Sequence, residues 1–266
     1  MTAIDIVRHE QWFTAYADRK IAAAEAQAEL ATEGVAEVLR LKCGHTHRVL
    51  TGAREIVRAE SFPPRLGRAT LLAALYHDVG RFDQYLRYRT FNDRASCNHA
   101  VLGVKILNQE NCLDGEECRA MIGAAVGMHN RFALPVHLSD DLRLITLVVR
   151  DPDKLDILGM MDEQLNGGAG QAEAMVFGLP ADPALASANI IAAALDGRAA
   201  SYADLKNAHD FKLLLATWIF EMNFPASRQR FAEDGHARRL LESLPPDSPY
   251  GPARAALLAR FDRFCG

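Results

Sequence analysis

Six side chains in this sequence are candidate donors for a divalent cation: His45, His77, Asp78, His99, His129 and Asp151. Imidazole nitrogens and carboxylate oxygens differ in hardness, and a site that mixes them suits first-row divalent metals. The densest chemistry lies in Leu71–Phe82, where an apolar helical run leads into adjacent His77 and Asp78, followed by Gly80, a residue that can end the helix. His45 stands in His45-Thr46-His47-Arg48-Val49, on a helix whose Val49 and Leu50 point to the core. His47, two residues on, points away from it and takes a structural or surface role. Asp151 ends an apolar run in Arg150-Asp151-Pro152-Asp153-Lys154-Leu155-Asp156. Lys154 lies three residues further on the same helical face and can reach an anion held beside the metal. A second pair, His209-Asp210, has no His-Thr-x-Arg before it and no Asp-x-x-Lys after it, so a structural role is expected there.

These donors must be positioned by helices, because helical signals dominate the chain. Residues 8–31 are rich in Ala, Glu, Gln and Lys, with Trp12, Phe13, Tyr16, Ile21 and Leu30 as apolar markers. Further helices are expected over 35–57, over the run after Phe62-Pro63-Pro64 that carries His77-Asp78, and over 98–108, 116–128 and 140–151. Ser96 is a candidate cap for the 98–108 helix. Pro152 predicts a kink or a fresh start. Residues 83–96 are polar and aromatic and are expected to form a loop at the site, with Tyr88, Thr90, Phe91, Asn92 and Asp93 facing substrate or simply covering the core. A turn at Gly167–Gly170 with Pro180 and Pro183 predicts a connection to helices over 184–196 and 203–223 and to a tail after Pro252. Trp218, Phe220, Phe224 and Phe231 are expected to pack the C-terminal helices on the core. The fold class is all-α, divided as an N-terminal segment 1–34, a core 35–165 and a C-terminal extension 166–266.

Length and charge narrow the function. A chain of 266 residues with 49% hydrophobic and 24% charged residues buries a substantial core. A formal charge of -4 and pI near 6.1 argue against a binder of long nucleic acid, though a few local cations suffice for phosphate. Five cysteines without CxxC spacing are expected to be reduced thiols, and no segment has the roughly 20 apolar residues of a membrane span. A cytoplasmic protein with no membrane contact is expected, and a homodimer is compatible with this composition. The absence of a P-loop, of GxGxxG after a strand, of GxSxG and of a Cys/His nucleophile pair removes the main rival enzyme classes and any organic cofactor.

The pieces around His45, around His77-Asp78-Val79-Gly80-Arg81-Phe82 and around Arg150–Asp156 together resemble the HD-domain metal-dependent phosphohydrolase superfamily, over roughly residues 40–160. That resemblance implies an HD-domain helical bundle with additional C-terminal helices. It implies an ordered ligand set His45, His77, Asp78 and Asp151, with Asp78 and Lys154 as catalytic residues. Two-metal members add two histidines before the last aspartate, and His99 and His129 fit those positions, with Asp78 bridging the ions. Some members carry a paired His-His where this chain has Met128-His129, and Pro152 stands where a small residue is usual.

What the resemblance implies chemically is hydrolysis of a phosphomonoester or phosphodiester by a metal-bound hydroxide, with one or two divalent ions among Fe, Mn, Co, Ni, Zn and Mg. Arg81, Arg131 and Lys154 are the phosphate-binding candidates. The expected partner is a small phosphorylated molecule, a nucleotide or a related metabolite. A cyclic or bridged dinucleotide phosphodiesterase and a non-catalytic nucleotide-sensing HD domain are the alternative readings.

Overall fold

The computed structural model describes residues 4–166, 179–180 and 182–265, and the described residues contain helices and no strand. Two compact units divide the chain, Met1–Asp153 and Lys154–Gly266. The boundary falls inside a helix. No described helix is long and apolar enough to cross a membrane. Cys43, Cys97, Cys112 and Cys118 are free thiols.

In the first unit, α1 (Val7–Glu25) and α2 (Ala28–Thr32) replace the single helix expected over 8–31. They are followed by α3 (Val35–Ala59) and α4 (Pro64–Tyr76). Pro64 opens α4, where a missing N–H costs nothing. Every residue from Ala69 to Tyr76 is buried, as expected of a helix apolar on all sides, and α4 packs against α1, α3 and α7 (Arg119–Met128). Between α4 and α7 lie α5 (Gly80–Tyr88) and α6 (His99–Gln109), packed on each other.

Two expectations are corrected here. Gly80 does not end the HD helix. His77–Val79 form a turn and Gly80 starts α5, so residues 83–88 of the expected 83–96 loop are helical. The polar residues of this stretch hid a short helix that buries Gly80, Phe82 and Gln84. Glycine is required for a different reason: a Cβ on Gly80 would stand 2.1 Å from the His99 carbonyl oxygen and 2.7 Å from the Gly103 nitrogen. The absent side chain lets the HD turn lie directly on the start of α6.

The last helix of the site, α8 (Asp140–Asn166), runs through Pro152 without interruption. Its proline ring lies against Gly52 of α3, where a Cβ would meet Pro152 Cβ at 2.6 Å. That close approach brings α3 to the segment of α8 that ends the first unit.

In the second unit, α9 (Ala188–Asp196), α10 (Ala208–Thr217), α11 (Pro225–Glu233), α12 (His236–Glu242) and α13 (Gly251–Cys265) enclose a core of their own. Trp218 and Phe231 belong to that core and Phe220 packs on it. The expected helix over 203–223 is α10 followed by a 3-10 turn over Trp218–Glu221. The Gly167–Gly170 turn lies outside the described residues.

Candidate metal centre

His45 projects from α3; His77 and Asp78 occupy the turn after α4; His99 is the first residue of α6; His129 follows the last residue of α7. All five side chains are buried, and they converge. Asn98 caps α6 by accepting from the Val101 N–H at 3.1 Å, which fixes the helix start that presents His99.

The donors form two groups. In the first, His45 Nε2 lies 3.3 Å from His77 Nε2 and 3.2 Å from Asp153 Oδ1, which is 3.7 Å from His77 Nε2. Asp78 Oδ2 faces this group, 3.4 Å from His45 and 3.7 Å from His77. In the second, His99 Nε2 and His129 Nε2 are 3.1 Å apart, and Asp78 Oδ1 lies 3.3 Å and 3.7 Å from them. One carboxylate therefore offers one oxygen to each group.

Tautomers follow from the second nitrogen of each ring. His77 Nδ1 donates to the Ala74 carbonyl at 2.7 Å, and His129 Nδ1 to the Val126 carbonyl at 2.8 Å. His99 Nδ1 donates to Asp93 at 2.8 Å. Burial lowers the His77 pKa to about 4. Burial, then the charge of Arg81, lowers that of His99 to about 4 as well. With Nδ1 of His99 and of His129 each engaged as a donor, their Nε2 atoms are left facing each other at 3.1 Å. Such an arrangement fits a shared cation. Bonds of about 2.1 Å from nitrogen or oxygen to a metal place neighbouring donors roughly 3–3.5 Å apart, close to the spacings here. The donor set fits divalent ions in both groups.

Carboxylates and cations surround these donors. Burial raises the Asp78 pKa, but Lys42, His77 and Arg81 hold it well below the usual carboxylate range. Lys42 Nζ donates to Asp78 Oδ2 at 2.9 Å, and Arg81 Nε lies 3.4 Å from Asp78 Oδ1. Asp93 accepts from His99, Gln84 (2.8 Å) and Asn130 (3.0 Å), and Arg81 Nη1 reaches it at 3.2 Å. Burial acts against the Asp93 charge, yet the His99 hydrogen bond and these neighbours bring its pKa to about 2. Arg150, buried in α8, donates to the carbonyls of His129 (3.2 Å) and Arg131, and so holds the turn that carries His129.

Of the six donors expected from the sequence, His45, His77, Asp78, His99 and His129 come together, and Asp151 does not join them. The aspartate from α8 is Asp153. Two residues along a helix is a rotation of about 200°, so the two carboxylates leave α8 on opposite sides. Asp151 shares its face with Val148, Leu155 and Leu158, whereas Asp153 shares its face with Arg150, three residues before it. Lys154 does not stand free for an anion: its ammonium pairs with Glu221 and lies 5.8 Å from the Trp218 ring. Arg131 is exposed, and its backbone carbonyl is engaged at the turn. Arg81 is at the site, with its Nη1 on Gln84, Phe91 and Asp93. His47 packs edge-on against Phe13, as a structural residue.

Sequence reasoning missed Lys42, Asp153 and Arg150, and took Asp93 only as a loop residue. The spacing of Lys42 one turn before His45 was the available signal. His209-Asp210 is structural: Asp210 completes a capping box with Asn207 at the start of α10 and also accepts from Ser187 N and the Tyr250 hydroxyl.

Residues 43–161 match the family model of the HD domain. No curated protein and no solved structure matches the chain.

Proposed function

We propose, from the match of residues 43–161 to the HD-domain family model, that this protein is a metal-dependent phosphohydrolase acting on a phosphoester of a nucleotide or a related small metabolite. The observation that carries the reading is Asp78, whose two carboxylate oxygens face separate groups of histidine and aspartate donors. Divalent ions bound there would acidify a water for attack on phosphorus and neutralise phosphoryl oxygens. His45, His77, Asp78 and Asp153 would hold one ion, and Asp78, His99 and His129 the other.

The chain's own part is to keep its donors deprotonated and aimed. Carbonyls of Ala74 and Val126 and the Asp93 carboxylate fix Nε2 of His77, His129 and His99 toward the centre. Burial keeps His77 and His99 neutral near pH 7. Arg81 places a guanidinium against Asp78 Oδ1, next to where a phosphoryl oxygen would arrive. In the overall reaction water oxygen bonds to phosphorus, the phosphorus–oxygen bond to the leaving group breaks, and the proton passes to the departing oxygen.

A phosphate-release screen with Mn²⁺, Fe²⁺, Co²⁺, Ni²⁺ and Mg²⁺ against mononucleotides and small phosphate monoesters, with chromatographic product analysis for cyclic dinucleotides and other diesters, tests this reading. Turnover by the wild type should disappear in Asp78→Ala together with bound metal. Silence across every metal and substrate would favour a sensing role, and an Asp78→Ala variant with full activity and full metal content would remove the assignment.

A further inference from the structure

Lys42 lies one helical turn before His45, on the same face of α3, and its side chain is 13% exposed. Its ammonium donates at 2.9 Å to Asp78 Oδ2, the oxygen turned toward His45 and His77, and sits 5.3 Å from the Phe91 ring. Among the described residues no other ion pair or hydrogen bond holds it. Arg81 Nη1 is tied to Gln84, Phe91 and Asp93 and Lys154 to Glu221, while Arg131 is exposed on the turn after His129.

Loading the centre would change the sign of the local charge. Asp78, Asp93 and Asp153 together carry one more charge than Lys42 and Arg81 supply. A single divalent ion reverses the sign of that balance, and a second raises the excess of positive charge further. An ion on Asp78 Oδ2 would draw electron density from the oxygen that the ammonium bonds and would repel the ammonium at close range. Lysine suits such a displacement, since its ammonium rides on a flexible four-carbon stem and can turn to a new acceptor. The Phe91 ring face keeps the cation within the site as it does so.

We propose that Lys42 is a phosphate-holding residue, whose ammonium passes from Asp78 Oδ2 to a phosphoryl oxygen of the substrate when divalent ions occupy the centre. The inference rests on the phosphohydrolase reading above and adds a substrate contact to it. It also assigns Lys42 a second effect: in the unloaded protein the ammonium competes with the incoming ion for Asp78.

The test uses the full chain, Mn²⁺ and inorganic phosphate, with calorimetry as the readout. Lys42→Met should bind phosphate to the manganese-loaded protein at least roughly tenfold more weakly, the loss of one charge-assisted hydrogen bond. In phosphate-free buffer the same variant should take up the wild-type number of manganese ions, at least as tightly as the wild type. Lys42→Arg should recover part of the phosphate affinity. Lys42→Gln keeps a donor for Asp78 and replaces the methionine variant if that one does not fold. Unchanged phosphate affinity in Lys42→Met overturns the inference and leaves the proposed function standing. Loss of manganese from the variant also overturns it, by making Lys42 a structural partner of Asp78. A manganese-loaded wild type that neither binds phosphate nor hydrolyses any ester removes the proposed function, and the inference with it.

Discussion

His45 Nε2 and Asp153 Oδ1 stand 3.2 Å apart although more than a hundred residues separate them in the chain. The contact depends on Gly52 and Pro152, whose close approach brings α3 and α8 together beside it. Asp153→Ala removes the anionic donor that belongs to this group alone, and bound metal should fall by about one equivalent per chain by elemental analysis. Asp151→Asn should keep the full complement. The reverse pattern would return the ligand role to Asp151.

Asp93 acts on the centre through His99. Its carboxylate accepts the Nδ1 proton at 2.8 Å and so fixes the tautomer that leaves Nε2 free for an ion. Asp93→Asn should weaken metal binding at the His99–His129 group by roughly 10- to 100-fold while sparing the other group. Stepwise titration with Mn²⁺ followed by paramagnetic resonance separates the two. Equal weakening of both groups would mean that Asp93 acts on the fold and not on His99.

Gly80→Ala tests the approach of the HD turn to α6. The new Cβ would meet backbone atoms, His99 O and Gly103 N, which cannot rotate away as a side chain would. A cost of about 3 kcal/mol and a fall of several degrees in the thermal midpoint are expected. Metal affinity should fall as well, because the displaced element carries His99. A variant as stable as the wild type would show that α5 and α6 can move apart freely.

Away from the centre, Glu116 joins α1 to α4 by accepting from Arg68 at 2.8 Å and from His9 at 2.9 Å. The Arg68 hydrogen bonds lower the Glu116 pKa to about 2, against burial and with help from His9. Its folded value lies below its unfolded one, so its contribution is complete above about 4.5 and is lost as the pH falls toward 2. Glu116→Gln should therefore cost up to about 3 kcal/mol at neutral pH. The gap in thermal midpoint between variant and wild type should hold from pH 7 to 5 and narrow below about 4.5. A gap that stays constant to pH 3 would assign the loss to packing.

The helices were largely readable because apolar spacing along α3, α4 and α8 is a local property. So was most of the donor set, since His45, His77 and Asp78 sit in distinctive local company. What failed were questions of rotation and reach. Asp151 and Asp153 are equally good ligands by type, and only the face that α8 turns toward His45 separates them. Lys42 resembles any solvated lysine until Asp78, distant in the chain, is placed against it. The helical start at Gly80 was hidden because glycine commonly ends helices, and the reason for it here lies in α6. Lys154 shows the same limit, since Glu221 captures it from far along the sequence.

Six donors come from α3, the turn after α4, α6, α7 and α8, and only His77 and Asp78 are neighbours in the chain. An unfolded chain thus presents an ion with isolated ligands, whereas the folded chain presents complete groups. Binding that discriminates so strongly between the two states shifts the folding equilibrium by mass action. With ions bound as proposed, free ion concentration would become a stability variable for the first unit, and a chelator would lower its thermal midpoint.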